Sequence, residues 1–265
     1  MSDWRLGLRA VTFDFGNTLV PVGRDDLRRV VELTVVELAA TSGPFDREAF
    51  LAAWAEERER QFAEALPAFR EVDIGERFRR VFARLRGLAA PPPGQRWNDA
   101  AAAARSEPAE IAAAVEAYSR SFVAALPAPP EVGRLLAALV ERYRLGVVSN
   151  WPLASTIDRF LEAAGWARYL SAVIVSERVG AIKPQATIFR AAEAALGGLT
   201  PGSILHVGDD WVGDVVGAKR AGWHAAYLRN RPVDSPLPGS EPDDDVEPEL
   251  ELERLTDLGP ILAGR

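Results

Sequence analysis

Cysteine is absent from the 265 residues, which excludes a disulfide framework, a zinc–thiolate centre and a thiol nucleophile. Lysine is nearly absent: of 31 basic residues only Lys183 and Lys219 are lysines, and the rest are arginines. That bias reads as genome composition, so a lysine that survives it carries weight. A compact ammonium and a planar guanidinium are not interchangeable beside a phosphate or carboxylate. No apolar run approaches the roughly 18 residues of a membrane span, and the N-terminus has no apolar signal-peptide segment. Positive charge is not in excess either. The net charge of −7 argues against nucleic acid, whose phosphates are held by clustered Lys and Arg. These absences point to a soluble, cytoplasmic protein with neither a nucleic-acid nor a membrane partner.

What is present is an ordinary globular composition, 48% hydrophobic and 26% charged. The length suits one large α/β domain or a core domain carrying a smaller insert. Strand-like runs occur at 9–14, 144–149, 171–175, 203–207 and 224–228. Helical patterning separates the last four, at 131–142, 153–164, 184–196 and 213–221. That alternation predicts parallel βαβ units in a doubly wound, Rossmann-like sheet. Between the first and second runs lie about 110 residues of helical patterning, at 25–40, 46–65, 71–88 and 106–126, broken by Thr-Ser-Gly-Pro (41–44) and Pro-Pro-Pro-Gly (91–94). An inserted α-helical cap domain over residues 21–127 is expected, with the core formed by 1–20 and 128–265. The cap should lie over the C-terminal ends of the strands, where open α/β sheets bind ligands. The five alanines at 100–104 need no more than helix propensity. The tract from Pro232 to Pro248, rich in Pro, Ser, Gly and acids, reads as an exposed excursion, and Leu250 to Leu262 as a return to apolar alternation and a terminal helix.

Four segments carry candidate chemistry, each at or near a strand's C-terminal end. In VTFDFGNTLV, Asp14 ends the first strand and Thr18 follows four residues later. A desolvated carboxylate aligned with phosphorus beside a divalent cation becomes an effective nucleophile; a carboxylate there also serves as a turn cap. In VVSN, Ser149 and Asn150 offer a hydroxyl and an amide to phosphoryl oxygens, and Ser155 or Thr156 is placed to cap the following helix. In GAIKP, Pro184 suits a first helical turn and leaves Lys183 at the loop's end. There it would neutralise both Asp14 and a transferring phosphoryl group. Lys219, beside Arg220 in a helix, reads as a surface lysine. In HVGDDWVGD, the acids Asp209, Asp210 and Asp214 repel one another unless neutralised. Asp209 and Asp214 can face one Mg²⁺, which takes hard oxygen ligands.

Together FDFGNTL, VVSN, IKP and GDDWVGD, in that order, resemble the four motifs of the haloacid dehalogenase-like hydrolase superfamily, mostly Mg²⁺-dependent phosphatases. The resemblance runs from residue 9 to about 228, and the late PELELERLTDLGPIL is similar to the family's C-terminus. It implies that Asp14 attacks phosphorus, that Thr18, Ser149 and Asn150 bind substrate, and that Lys183 steadies the negative charge. It further implies Mg²⁺ on Asp14, the Gly16 carbonyl, Asp209 and Asp214, the last directly or through water. The role of Asp210 is open.

One position departs from the pattern. The family's phosphatases usually carry Asp two residues after the nucleophile, as the acid that protonates the leaving oxygen and then activates water; here it is Gly16. General acid–base help is typically worth about 10²–10⁴ in rate. Three consequences stand side by side: substrates with good leaving groups such as acyl phosphates, another residue acting instead (Asn17 or a cap acid), or binding without turnover. Dehalogenases and phosphonate-cleaving members also lack that Asp, but dehalogenases work without metal and their fourth motif is less acidic. The expectation is a Mg²⁺-dependent hydrolase of a small phosphorylated molecule, monomeric or dimeric. Substrate identity is not legible: Arg24, Trp54 and Arg58 are equally explained as solvated or packed helix residues, and Trp151 as a pocket wall or a buried aromatic.

Overall fold

The computed structural model describes residues 3–42, 45–243 and 245–264. The chain divides into two compact units, Asp25–Ala125 and the pair of segments Met1–Arg24 and Leu126–Arg265.

The unit Asp25–Ala125 is helical. It contains α1 (Arg24–Ser42, which starts at the boundary), α2 (Arg47–Ala65), α3 (Ile74–Leu85), α4 (Asp99–Ala103) and α5 (Pro108–Ala125). Asp46 and Asp73 cap α2 and α3, accepting from Ala49 N at 3.0 Å and Glu76 N at 2.9 Å, the usual remedy for unpaired N-terminal donors. Of the predicted break at 41–44, Gly43 and Pro44 lie outside the described residues. The apolar faces of α2, α3 and α5 meet in an aromatic cluster, with Trp54 4.8 Å from Phe78 and 5.5 Å from Tyr118. Trp54 is thus a packed residue, and Arg58 lies over the Phe62 ring. Glu57 is fully buried and accepts from Arg84 at 3.1 Å and from Trp97 Nε1 at 2.8 Å.

The other unit is built on six parallel strands: β1 (Ala10–Phe13), β2 (Arg144–Ser149), β3 (Leu170–Val175), β4 (Ile204–Gly208), β5 (His224–Leu228) and β6 (Leu250–Leu252). Their order is β3-β2-β1-β4-β5-β6. Strands covered on both faces read as nearly continuous apolar runs, and every residue of β1 and β4 is buried. The covering helices are α6 (Pro130–Leu139), α7 (Ala154–Ala163), α8 (Ser176–Val179), α9 (Ala186–Ala195), α10 (Gly217–Arg220) and α11 (Leu258–Ala263). Winding reverses at β1, the kind of switch point at whose C-terminal edge open α/β sheets bind ligands. The register pairs Phe13 with both Val147 and Val207, which brings the ends of β1, β2 and β4 to one edge. Among the described residues no single helix is long and apolar enough to cross a membrane.

Three local expectations change. Helix α9 starts at Ala186, not Pro184, because the Gln185 N–H closes a turn onto Ile182 O at 2.9 Å. Neither Ser155 nor Thr156 caps α7; the Glu177 carboxylate reaches the Ala154 N–H at 3.4 Å instead. Lys219 is not a free surface lysine but pairs with Glu249 at 2.5 Å, tying α10 to the chain entering β6.

Glu57 supplies a prediction. Removing one partner of a buried ionic cluster leaves donors stranded, so Glu57→Ala should lower the unfolding free energy by about 3 kcal/mol, read from a denaturant titration. A loss within experimental error would contradict this role.

Candidate active site

Asp14 leaves β1 into a tight turn in which the Asn17 N–H donates to Val20 O at 2.7 Å and the Val20 N–H to Phe15 O at 3.0 Å. Neither bond uses the Gly16 carbonyl. Asn17 takes a left-handed φ of 57°, a conformation asparagine tolerates. Its side chain then does more than make a turn, because Nδ2 donates to Asp209 Oδ2 at 3.3 Å and Oδ1 accepts from Val22 N at 3.1 Å. Thr18 Oγ1 lies 3.4 Å from Asp209 Oδ1, so its hydroxyl faces the carboxylate of the fourth motif.

Lys183 is 4% exposed. Its ammonium spends all three hydrogens on the protein: Asp14 Oδ1 at 2.8 Å, Asp214 Oδ1 at 2.5 Å and Val148 O at 2.9 Å. Asn150 fixes the backbone beneath it, accepting from Lys183 N at 2.7 Å and donating to Lys183 O at 3.1 Å. The amide expected to face substrate is therefore engaged in positioning the lysine. Ser149 Oγ is buried near the Asp14 carboxylate, whose charged form it favours, yet it has no well-aligned hydrogen bond to a protein group.

The acids of the fourth motif have separate surroundings. Asp214 lies in a π-helical turn, Trp211–Val216. One of its oxygens takes Lys183 and His206 Nε2, at 3.0 Å, and the other takes the Asp210 N–H at 2.9 Å. Asp210 caps that turn through Gly213 N and also accepts from Ser240 N at 2.8 Å. Asp209, 4% exposed, accepts from Arg231 Nη1 at 3.0 Å. Ligand oxygens of Asp14, Asp209 and Asp214 all lie within 4.8 Å of one another.

The charges explain the titration of the cluster. Burial pushes Asp14 up, opposed by Lys183 and reinforced by Asp214. Asp209 is pushed up to about 8, first by burial and then by Asp14 and Asp214, with Arg231 and Asn17 opposing. Burial works against the charge of Asp214, but Lys183 and His206 outweigh it and hold the group well below the usual carboxylate range. Burial likewise opposes the ammonium of Lys183, yet Asp14 and Asp214 keep it protonated beyond its ordinary range. When all three carboxylates are ionised the donor set carries one negative charge more than Lys183 and Arg231 neutralise, and the raised Asp209 pKa puts that state above about pH 8.

Several participants escaped the sequence reading. His206 bridges Thr12 Oγ1, at 2.9 Å, to Asp214 from inside β4; its only signal was a polar ring in an apolar strand next to an acidic motif. Leu237 and Ser240 come from the tract expected to be an exposed excursion, and Arg231 stands immediately before it. Leu237 and Trp151 cover Gly16 so closely that a Cβ there would lie 2.6 Å from Leu237 Cδ1 and 3.2 Å from Trp151 Cζ3. Trp151 is 5% exposed.

A family model described as haloacid dehalogenase-like hydrolase matches residues 8–222. The chain belongs to that family. Among curated relatives, glyceraldehyde 3-phosphate phosphatase of Methanopyrus kandleri is 33% identical over 153 residues, covering 57% of this chain and 64% of that protein. The Rhythmically expressed gene 2 protein of Drosophila melanogaster is 35% identical over 93 residues, or 34% of this chain and 35% of that protein. The chain thus spans less than two thirds of the length of these relatives. Two solved structures share the fold. One is a 2-haloacid dehalogenase from Pseudomonas syringae, with a TM-score of 0.64 at 21% identity over 97% of this chain and 99% of the other. The other is an HAD phosphatase from Thermococcus onnurineus, at 0.59 and 22% over 97% and 99%. Family members with different chemistries superpose on one fold, so the side chains of the site must distinguish them.

The raised Asp209 pKa has a measurable sign. Between the ordinary carboxylate range and about pH 8 the folded protein holds a proton that the unfolded chain has lost, so stability falls as pH rises through that window. In chelator, Tm should drop from pH 5 to pH 8, and Asp209→Asn should flatten the decline. A slope unchanged by Asp209→Asn would contradict the assignment.

Proposed function

We propose that this hydrolase is a phosphatase that uses Mg²⁺ and an aspartyl-phosphate on Asp14 to act on a small phosphorylated molecule. The observation that carries the reading is the convergence of the Asp14, Asp209 and Asp214 oxygens within 4.8 Å, with the Lys183 ammonium on two of them. A donor set of hard carboxylate oxygens is what Mg²⁺ prefers. Asp14, Asp209 and the Gly16 carbonyl would hold the ion, with Asp214 alongside. Once bound, the ion supplies charge neutralisation at the phosphoryl oxygens. The acidic motif speaks against a metal-free dehalogenase. The naming of a relative as glyceraldehyde 3-phosphate phosphatase supports a small phosphorylated substrate.

In this reading an Asp14 oxygen bonds to phosphorus as the bond to the leaving oxygen breaks. Water then attacks phosphorus, the bond to Asp14 breaks, and phosphate departs with the carboxylate restored. Lys183 holds Asp14 at a fixed angle and, staying protonated, offsets charge gathering on the phosphoryl group. The buried Ser149 hydroxyl, which has no well-aligned hydrogen bond to a protein group, would donate to a phosphoryl oxygen. At Gly16 no side chain gives the leaving oxygen a proton, and apolar Leu237 and Trp151 cover the place. That favours weakly basic leaving groups, such as those of acyl phosphates.

The same observation favours a second reading, a phosphoryl-binding protein with little turnover. An assay of the pure protein with Mg²⁺ against phosphorylated metabolites and acyl phosphates decides between them. Chelator-sensitive hydrolysis abolished by Asp14→Asn, and lowered about 10²–10³-fold by Lys183→Ala, supports the phosphatase. Activity that is absent in the wild type, yet gained by Gly16→Asp combined with Leu237→Ala, supports the binding protein.

A further inference from the structure

The connection between β5 and β6 returns across the C-terminal edge of the sheet and fastens to the site by side-chain bonds. Ser235 Oγ accepts from Asn17 Nδ2 at 3.0 Å, and Asp234 accepts from Arg24 N at 3.4 Å. Ser240 donates to Asp210 from its N–H at 2.8 Å and from its hydroxyl, which in turn accepts from Val212 N at 2.7 Å. Asp243 accepts from Trp211 Nε1 at 3.2 Å. Each anchor lands within a few residues of the first or fourth motif. Leu237 meanwhile fills the space over Gly16.

Arg231 is the anchor with chemical consequence. Its Nη1 lies 3.0 Å from Asp209 Oδ2, with Arg231 25% and Asp209 3% exposed at the side chain. Its Nη2 donates to Leu237 O, so the segment it belongs to holds the guanidinium in place. A guanidinium does not give up its proton in a protein, so Asp209 keeps a permanent cation on one oxygen. A divalent ion on the same carboxylate meets that like charge at short range. Either the ion binds against the repulsion, or Arg231 lets go and the Leu237 carbonyl loses its donor.

We infer that Arg231 is a tethered cation that competes with the divalent ion for Asp209, so that ion entry is coupled to release of Arg231 and loosening of the strap 231–243 that it ties. The inference rests on the proposed ion site, but its test separates the two. Arg231 does not touch the reacting atoms; it positions Asp209 and sets how tightly the ion is held.

Calorimetric titration of Mn²⁺ into the whole protein, without substrate, reads the competition directly. Arg231→Ala should bind about tenfold more tightly than the wild type, within the range usual for coupled sites, while Arg231→Lys, which keeps the charge, should stay within a fewfold of wild type. Equal or weaker binding by Arg231→Ala overturns the inference and leaves the ion site standing. Absence of binding in wild type and Arg231→Ala alike overturns both. Hydrogen exchange of the wild type tests the coupling without any variant: saturating Mn²⁺ should speed exchange across 232–243, and unchanged or slower exchange there overturns the loosening.

Discussion

A single buried ammonium organises this site. Lys183 meets Asp14, Asp214 and the Val148 carbonyl at once, and these groups belong to three different stretches of the chain. The ammonium is almost wholly removed from water, so none of its hydrogens can be left unspent without a large desolvation penalty. The two carboxylates among its acceptors in turn need a fixed cation, because Asp14 and Asp214 crowd each other and Asp209. Asn150 completes the arrangement by gripping the lysine's backbone at both N–H and C=O. In a chain with only two lysines, the one that is buried stands where a compact charge must fit beside carboxylates.

What the sequence displayed followed from burial and position. Strands β1, β2 and β4 are largely buried and so spell nearly continuous apolar runs, broken inside only by Thr12 and His206, while Asp14, Ser149 and Asp209 stand at their C-terminal ends. The doubly wound sheet and the convergence of those ends were therefore legible. β6, three residues long, was visible only as apolar alternation. Asn150 and Thr18 have a chemistry open to several partners, and the spacing of motifs did not say that one would hold Lys183 and the other face Asp209. His206 gave little signal, since a histidine inside a strand is more often a packed ring than part of a carboxylate network.

The segment 231–243 was the least legible element, for a physical reason. Its proline, serine, glycine and acids cannot bury a hydrophobic face, and such composition ordinarily marks a solvated excursion. It is held instead by single side-chain bonds to Asp209, Asn17 and Asp210. Local sequence does not encode such bonds between residues far apart in the chain. Gly16 gains a meaning from that segment. Its lack of a Cβ lets Leu237 and Trp151 close over the loop.

The central claim is that the crowded carboxylates form a cation site completed by the ion rather than by the chain. Anomalous diffraction from crystals soaked in Mn²⁺ tests it most directly. The account predicts one strong peak within bonding distance of both Asp14 and Asp209, with Lys183 still on Asp14. No peak at those carboxylates under saturating Mn²⁺, or ions only at surface acids, would contradict it.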